Sequence, residues 1–485
     1  MKVGTIYDWV PGSGSVVSWH PSPASLAKAR QAPVSAVPAT YMQAQHLRGF
    51  CEFAARGLDY SRLCMFSMDV PGRCDIRAMT YAVNAHLRRH DTYRSWFDCS
   101  DVEHIVRHSI SHPADIEFVP TEYGAMTPTE WQDHILATPN PLHWDCFRFG
   151  VIQRADHFKF YVVIDHLHTD SMLLAILYRE IGMMYAAIVA GAAPFSLPPV
   201  GSHDDYCRRQ QEYMSALSLD SPQVRKWIEF AENNDGALPK FPLPLGDPSV
   251  SCGHDVVIAQ LLDEQQTARF ESACIAAGAR FSGGVFACIA LVEHELTGAE
   301  TYYGITPFNR RSTPAESMTM GWFVSLVPVI VPVVATSFGE TARAAQASFD
   351  SNTDLGNVTF DRVLELAPWL RRPGQDSTML NYMDEGIPPV SGTIANQLDG
   401  LNAGCYYDGR TLAHPFISVG RLFDKTLMSV LFPDNPIARE SVTHYVEAMK
   451  SACARAAEDP GCWPTSDATF PVGAHDARQP TTTQS

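Results

Sequence analysis

The stretch Asp165-His166-Leu167-His168-Thr169-Asp170-Ser171 constrains this chain more than any other. It follows a near-continuous apolar run, Phe-Tyr-Val-Val-Ile at 160–164, which reads as a buried strand. From Met172 onward apolar residues recur at three- and four-residue spacing, as in a helix. A strand therefore ends on a histidine, and an acid stands at the mouth of the next helix. A histidine accepts a proton near neutral pH. An aspartate in that place caps the helix and is readily held by a cation. The pattern points to proton transfer on a hydroxyl or an amine. For a lone His-x-x-x-Asp the plain structural reading, a core histidine beside a helix cap, usually wins. A metal reading also competes, because His166-x-His168-x-Asp170 matches the front of the His-x-His-x-Asp-His signature of binuclear metallohydrolases. That signature needs a histidine where Ser171 stands, so it ranks below proton transfer.

Bulk properties narrow the field. At 485 residues the chain exceeds one ordinary core, so two lobes are expected. An apolar fraction of 46% against 18% charged residues is that of a packed globular protein. A net charge of −17 argues against nucleic acid as a partner. The twelve cysteines form no Cys-x-x-Cys pair and read as free thiols in a reducing compartment. The N-terminus has no apolar leader-like run, so no secretory signal is expected. The longest apolar run, at 324–334, is interrupted by Ser325, Pro328 and Pro332 and reads as a strand, not a membrane span.

The first lobe is placed at residues 1–200, with a helix at 79–89 and a hairpin of strands at 147–153 and 158–164. The segment from Met172 reads as one amphipathic helix. A connection follows at 201–253: a charged helix over 204–235, then a Pro-rich stretch at 238–248. The second lobe is placed at 254–464. It has helices starting at Asp263 and Ser282, strands at 301–306 and 326–333, a helix at 340–350, late strands at 416–420 and 426–432, and a closing helix at 438–456. The tail, 465–485, reads as disordered.

Several separated pieces recur together in one known superfamily. His166-x-x-x-Asp170 resembles the His-His-x-x-x-Asp-Gly motif of condensation-domain and chloramphenicol-acetyltransferase-like acyltransferases, with Asp165 in place of the first His and Ser171 in place of Gly. Ala44-Gln45 resembles the family's opening Ala-Gln element, and Arg89-His90-Asp91-Thr92-Tyr93-Arg94-Ser95-Trp96-Phe97 its Arg-His-x-x-Leu-Arg-Thr-x-Phe element. Residues 305–311 with Gly321-Trp322-Phe323 and Pro328 resemble its Pro-x-x-x-Arg and Gly-x-Phe-x-x-x-x-Pro elements. Longer pieces at 17–25, 84–97, 143–147, 241–248 and 431–436 resemble the mycobacterial polyketide-associated acyltransferases, in particular the trehalose-acylating branch.

The resemblance, which spans roughly residues 3–455, implies an α/β (α+β) fold of two chloramphenicol-acetyltransferase-like lobes with a channel between them. It implies an O-acyltransferase that moves a long-chain fatty acyl group from acyl-CoA to a hydroxyl of trehalose, in di- or polyacyltrehalose synthesis. The alternatives are a sulfated trehalose acceptor, a polyketide synthase donor, or a non-catalytic protein that docks a carrier. His166 is the expected general base. Asp170 is expected to point away from the channel and bond Arg311, with Arg310 the second choice. Asp165 is expected to be structural, and His168 to diverge from His166 and pack the loop. His90, Arg94 and the Gly283-Gly284 pair are given structural roles. No cofactor is expected beyond acyl-CoA as co-substrate. No metal is expected, because a thioester is already activated for alcoholysis. The expected location is the cytoplasm, with a peripheral position at the inner face of the plasma membrane as the alternative.

Overall fold

The structure, a computed structural model, describes residues 2–460 apart from 102–103, 193–196, 249, 251, 385–397, 399, 412–413 and 423. The tail expected to be disordered lies outside the described residues. The N-terminal half is built on a seven-stranded sheet. Its order is Lys2–Thr5, Gly404–Tyr407, Leu63–Pro71, His157–Asp165, Phe147–Gln153, Ser15–Pro21 and Phe118–Ala125. The central strand His157–Asp165 is buried along nearly its whole length, as its unbroken apolar run requires. It pairs antiparallel with Leu63–Pro71 on one side and with Phe147–Gln153 on the other. Ile76–Arg89 is among the helices that supply the buried residues packed with this sheet. That helix starts earlier than the expected 79, because Asp75 caps it by accepting from the amides of Arg77 and Ala78.

The C-terminal half has a four-stranded sheet, in the order Met379–Asp384, Phe416–Arg421, Thr426–Pro433, His254–Leu262, and a separate hairpin of Thr301–Asn309 with Val324–Pro332. Its core helix Phe281–Thr297 is buried through most of its first three turns, so it reads as apolar throughout. A Cβ on Gly284 would lie 2.2 Å from Cys274 Sγ, so that glycine serves close packing on the helix Glu264–Ala276, while Gly283 faces Gln346 of the helix Phe338–Asn352. No single described helix is long and apolar enough to cross a membrane.

Three expectations need correction. The second lobe is not the continuous stretch 254–464, because Gly404–Tyr407 leaves it and joins the N-terminal sheet, parallel to Lys2–Thr5 and antiparallel to Leu63–Pro71. The charged helix over 204–235 is two helices, His203–Ser215 and Pro222–Glu232, with Pro222 opening the second as its preset φ favours. The helical run after Met172 contains a π-helical turn, Tyr178–Gly182, between Leu173–Leu177 and Met183–Val189. Buried Glu180 sits in that turn, where His86, His90 and Arg89 meet its carboxylate.

The crossing strand bears directly on the His166 turn. Just after it, the buried Asp408 carboxylate accepts from the amides of Arg62 (2.9 Å) and Leu63 (2.8 Å) and pairs with Arg410. The Arg62 carbonyl in turn accepts from the His166 amide at 2.9 Å. Asp408→Ala would leave two amides and a guanidinium without their acceptor. It is expected to cost about 3 kcal/mol of stability in urea unfolding. A loss well under 1 kcal/mol would show that the crossing strand docks without this carboxylate.

Candidate active site

The sheet delivers Asp165 and His166 to the end of its central strand, and a 3-10 turn, His166–His168, follows. Asp165 caps that turn by accepting from the Leu167 amide at 3.1 Å. Its carboxylate is fully buried and also meets His46 Nε2 at 2.9 Å and Arg62 Nη1 at 3.0 Å. Burial alone would raise its pKa. The charge and hydrogen bond of His46, with Arg62, reverse that and hold it at about 2. Arg62 is itself saturated, donating to the carbonyls of Thr138 (2.6 Å) and Pro139 (3.0 Å). Asp165 is thus an anion held between Arg62 and His46, with the geometry of a brace.

His166 is half-buried, and its Nδ1 is enclosed with no partner in another described residue. Burial, followed by the nearby His46, pushes its pKa down to about 4. At neutral pH the ring is uncharged and can accept a proton. Trp322 lies against it, ring centroids 4.1 Å apart at 45°, and His46 stands 6.4 Å away. His46 comes from the helix Tyr41–Ala55, whose Gln43 donates to the Leu167 carbonyl at 2.9 Å.

His168 turns the other way. It is fully buried, its Nδ1 is 3.0 Å from Thr92 Oγ1, and its ring faces Phe147 and Tyr93. Burial pushes its pKa to about 3.

Asp170 points to Arg311. Its two oxygens accept from Arg311 Nη1 at 2.7 Å and Nη2 at 3.1 Å, with only 2% of either side chain exposed. Arg310 lies elsewhere, bonded to Asn357 and over the Phe308 ring. Asp170 also accepts from the Met172 amide (3.0 Å), just ahead of the next helix, and from the Phe323 amide (3.0 Å). Arg311 continues to the carbonyls of Glu316 (3.0 Å) and Thr319 (2.9 Å) and covers the Phe323 ring.

His90 and Arg94 make structural contacts. His90 Nε2 lies 2.9 Å from Glu180, and its Nδ1 accepts from the Met320 amide at 3.2 Å. Among the described residues, His86, His90 and Glu180 are the one group placed closely enough to hold an ion. Their hydrogen bonds fit a proton network instead. A lone pair on His90 Nδ1 leaves the proton on Nε2, directed at Glu180, while His86 Nε2 faces the Tyr93 hydroxyl at 3.1 Å. Burial works to raise the Glu180 pKa, but the hydrogen bonds from both histidines hold it well below the usual carboxylate range.

Sequence reasoning did not single out His46, Arg62, Trp322 or Glu180. Trp322 lies inside the Gly321-Trp322-Phe323 element, and His46 directly follows the Ala44-Gln45 element. Arg62 carries no local signal, since only the fold brings it to Asp165. A cavity of about 420 Å³ touches Tyr41, Ala44 and Arg48, the face of their helix turned away from Gln43 and His46. It is not where His166 lies. A smaller, mostly apolar crevice lined by Met42, Leu238, Leu326, Phe360 and Leu364 lies between that helix and the C-terminal half.

The Condensation domain family matches residues 39–370. The chain is 58% identical over 457 residues to 2'-acyl-2-O-sulfo-trehalose (hydroxy)phthioceranyltransferase PapA1 of Mycobacterium tuberculosis, covering 94% of this chain and 89% of the relative. It is 54% identical over 460 residues to trehalose-2-sulfate acyltransferase PapA2 of M. tuberculosis, covering 94% and 97%. It is 52% identical over 458 residues to acyltransferase PapA3 of the same organism, also covering 94% and 97%. The solved structure of PapA2 acyl transferase superposes with a TM-score of 0.91 at 54% identity, covering 94% of this chain and all of that one. The condensation domain of the monacolin K polyketide synthase MokA shares the fold, with a TM-score of 0.67 at 15% identity, covering 88% and 99%.

Removing one member of the buried Asp170–Arg311 pair leaves the other charge uncompensated. Asp170→Ala is expected to cost about 3–5 kcal/mol in denaturant unfolding as well as activity. Arg311→Lys is expected to lose activity too, because an ammonium cannot reproduce the two-pronged contact. An Asp170→Ala protein that unfolds like wild type would point to a direct chemical role for the carboxylate.

Proposed function

The chain belongs to the Condensation domain family and is an acyltransferase; from that premise we propose that it moves a long-chain fatty acyl group from acyl-CoA to a hydroxyl of trehalose, with His166 as general base. The observation that carries this reading is the placement of His166. It stands uncharged on a turn whose other ionisable side chains are all committed elsewhere: Asp165 to Arg62 and His46, His168 to Thr92, and Asp170 to Arg311.

The steps follow from that placement. The acceptor hydroxyl attacks the thioester carbonyl while His166 takes its proton. The tetrahedral intermediate collapses, the carbon–sulfur bond breaks, and the thiolate recovers the proton from the imidazolium. A thioester needs neither an enzyme nucleophile nor an acyl-enzyme intermediate. A ring with a pKa near 4 is a weak base, so the proton moves as carbon–oxygen bond formation acidifies the hydroxyl, not before it. What the low pKa supplies is a fully available lone pair at pH 7.

A sulfated trehalose is the second reading of the acceptor. It is favoured by the names of the relatives PapA1 and PapA2, which specify sulfated trehaloses. A polyketide synthase as donor remains within this reading, as does a cytoplasmic location with peripheral contact at the inner membrane face. The test is incubation with palmitoyl-CoA and either trehalose or trehalose-2-sulfate, with mass spectrometry of the glycolipid formed. Acylation of neither acceptor would overturn the reading.

His166→Ala is expected to lower turnover by about two to four orders of magnitude. His168→Ala is expected to act mainly on stability, because it empties a buried site. Since the base works deprotonated and its folded pKa lies near 4, activity should persist as pH falls below 6.5 and fail only toward pH 4. Initial rates taken before acid unfolding check this. A rate that halves near pH 6.5 would mean that the ring is not desolvated.

A further inference from the structure

The loop 319–323 belongs to the C-terminal half, yet it ends against His166. Its backbone is fixed on both sides of Trp322. The Thr319 carbonyl accepts from Arg311 Nη2 (2.9 Å), and the Met320 amide donates to His90 (3.2 Å). The Gly321 carbonyl faces Arg311 Nη2 at 3.4 Å, and the Phe323 amide donates to Asp170 (3.0 Å). The Phe323 carbonyl accepts from the Arg310 amide at 2.8 Å. Gly321 has φ +144°, and a Cβ there would lie 2.4 Å from His203 Cδ2, so only glycine lets the loop come this close. The side chain presented by this frame is the buried indole of Trp322, 4.1 Å from the His166 ring and 5.7 Å from His46.

We infer that Trp322 is a positioning residue for the reaction, and that Asp170 and Arg311 act on His166 chiefly by holding the loop that presses this indole against its ring. Among the described residues no hydrogen bond links the Asp170–Arg311 pair to the imidazole, and Asp170 acts on the ring directly only through its charge. The pair reaches it through the Phe323 amide, the Gly321 carbonyl and the indole between them. The indole does two things. It blocks rotation of the ring about its side-chain bonds, and it keeps water from one ring face.

The titratable groups that act on His166 are His46, from the neighbouring helix, and Asp165 and Asp170 from its own turn. His46 favours the neutral ring and the two carboxylates favour the charged one. None of them is removed when the indole is. Loss of the indole therefore lets water in and relieves the burial that dominates the depressed pKa, which then rises from about 4 toward the ordinary 6.5. A tryptophan that filled core volume without shielding the ring would not move this titration.

The experiment compares Trp322→Ala, Trp322→Phe and Gly321→Ala with wild type. NMR of ring-labelled histidine gives the His166 titration, with the signal assigned by its absence in His166→Gln. Trp322→Ala should raise the titration midpoint by about one unit or more and lower kcat about 100-fold, with a smaller change in KM. Trp322→Phe should recover most of both losses, because a flat ring is restored. Gly321→Ala keeps the indole but displaces the loop, and it should show the alanine signature in weaker form. Trp322→Leu, which keeps the site apolar but uncovers most of the ring face that the indole shields, carries the same test if alanine unfolds the protein. A midpoint that stays near 4 in the ring-less variant overturns the inference, and so does an unchanged kcat. The inference rests on the base reading only for its kinetic arm. If His166→Ala kept full turnover, that reading would fail, and the titration would still decide whether Trp322 governs the ring.

Discussion

Asp170 and Arg311 are almost completely withdrawn from water, and a charge pair in that position is stable only while both members keep their hydrogen bonds. Here both do. The carboxylate takes two guanidinium nitrogens and two backbone amides, while Arg311 also reaches backbone carbonyls of its own half. A buried pair of this kind adds little net stability over an apolar substitute. What it adds is geometry, because only one arrangement of the two halves satisfies every donor and acceptor. The turn that carries His166 and the loop that carries Trp322 are the two sides of that arrangement.

The departure at Asp165 follows the same logic with the charges exchanged. Where the motif has a histidine, this chain has a carboxylate, and a bare carboxylate at that depth would be prohibitive. Arg62 and His46 make it acceptable by placing a guanidinium on one oxygen and an imidazole nitrogen on the other. His46 therefore acts on both neighbours: it stabilises the Asp165 anion and favours the neutral form of His166. The carboxylate at the first motif position is thus held by residues that lie outside the motif.

Most of the His166 turn was legible in the sequence because its signals are local. An apolar run of five residues, a histidine at its end and an acid one turn later mark the strand and the start of the next helix within a short stretch, although Asp170 bonds Arg311 and the Met172 amide and does not cap that helix. Arg311 was reachable only through the order of distant motifs. The strand Gly404–Tyr407 was not legible: four residues carry too little periodicity to mark a strand, and nothing in them says which sheet they join. The break between His203–Ser215 and Pro222–Glu232 was available in Pro222 but was outweighed by the charged pattern on both sides. Arg62 and Glu180 escaped because their roles exist only after folding brings sequence-distant partners around them. The π-helical turn that holds Glu180 has no recognisable sequence signature at all.

The turn from Asp165 to Asp170 is therefore a product of both halves. The N-terminal half contributes His46, Arg62 and Thr92, and the C-terminal half contributes Arg311, Trp322 and the Phe323 amide. The strand that crosses back brings Asp408 against the amides of Arg62 and Leu63, which fixes the residue that braces Asp165 and accepts the His166 amide. In either half alone, Asp170 or Arg311 would be left in the interior without its partner. The placement of His166 therefore depends on residues of both halves at once.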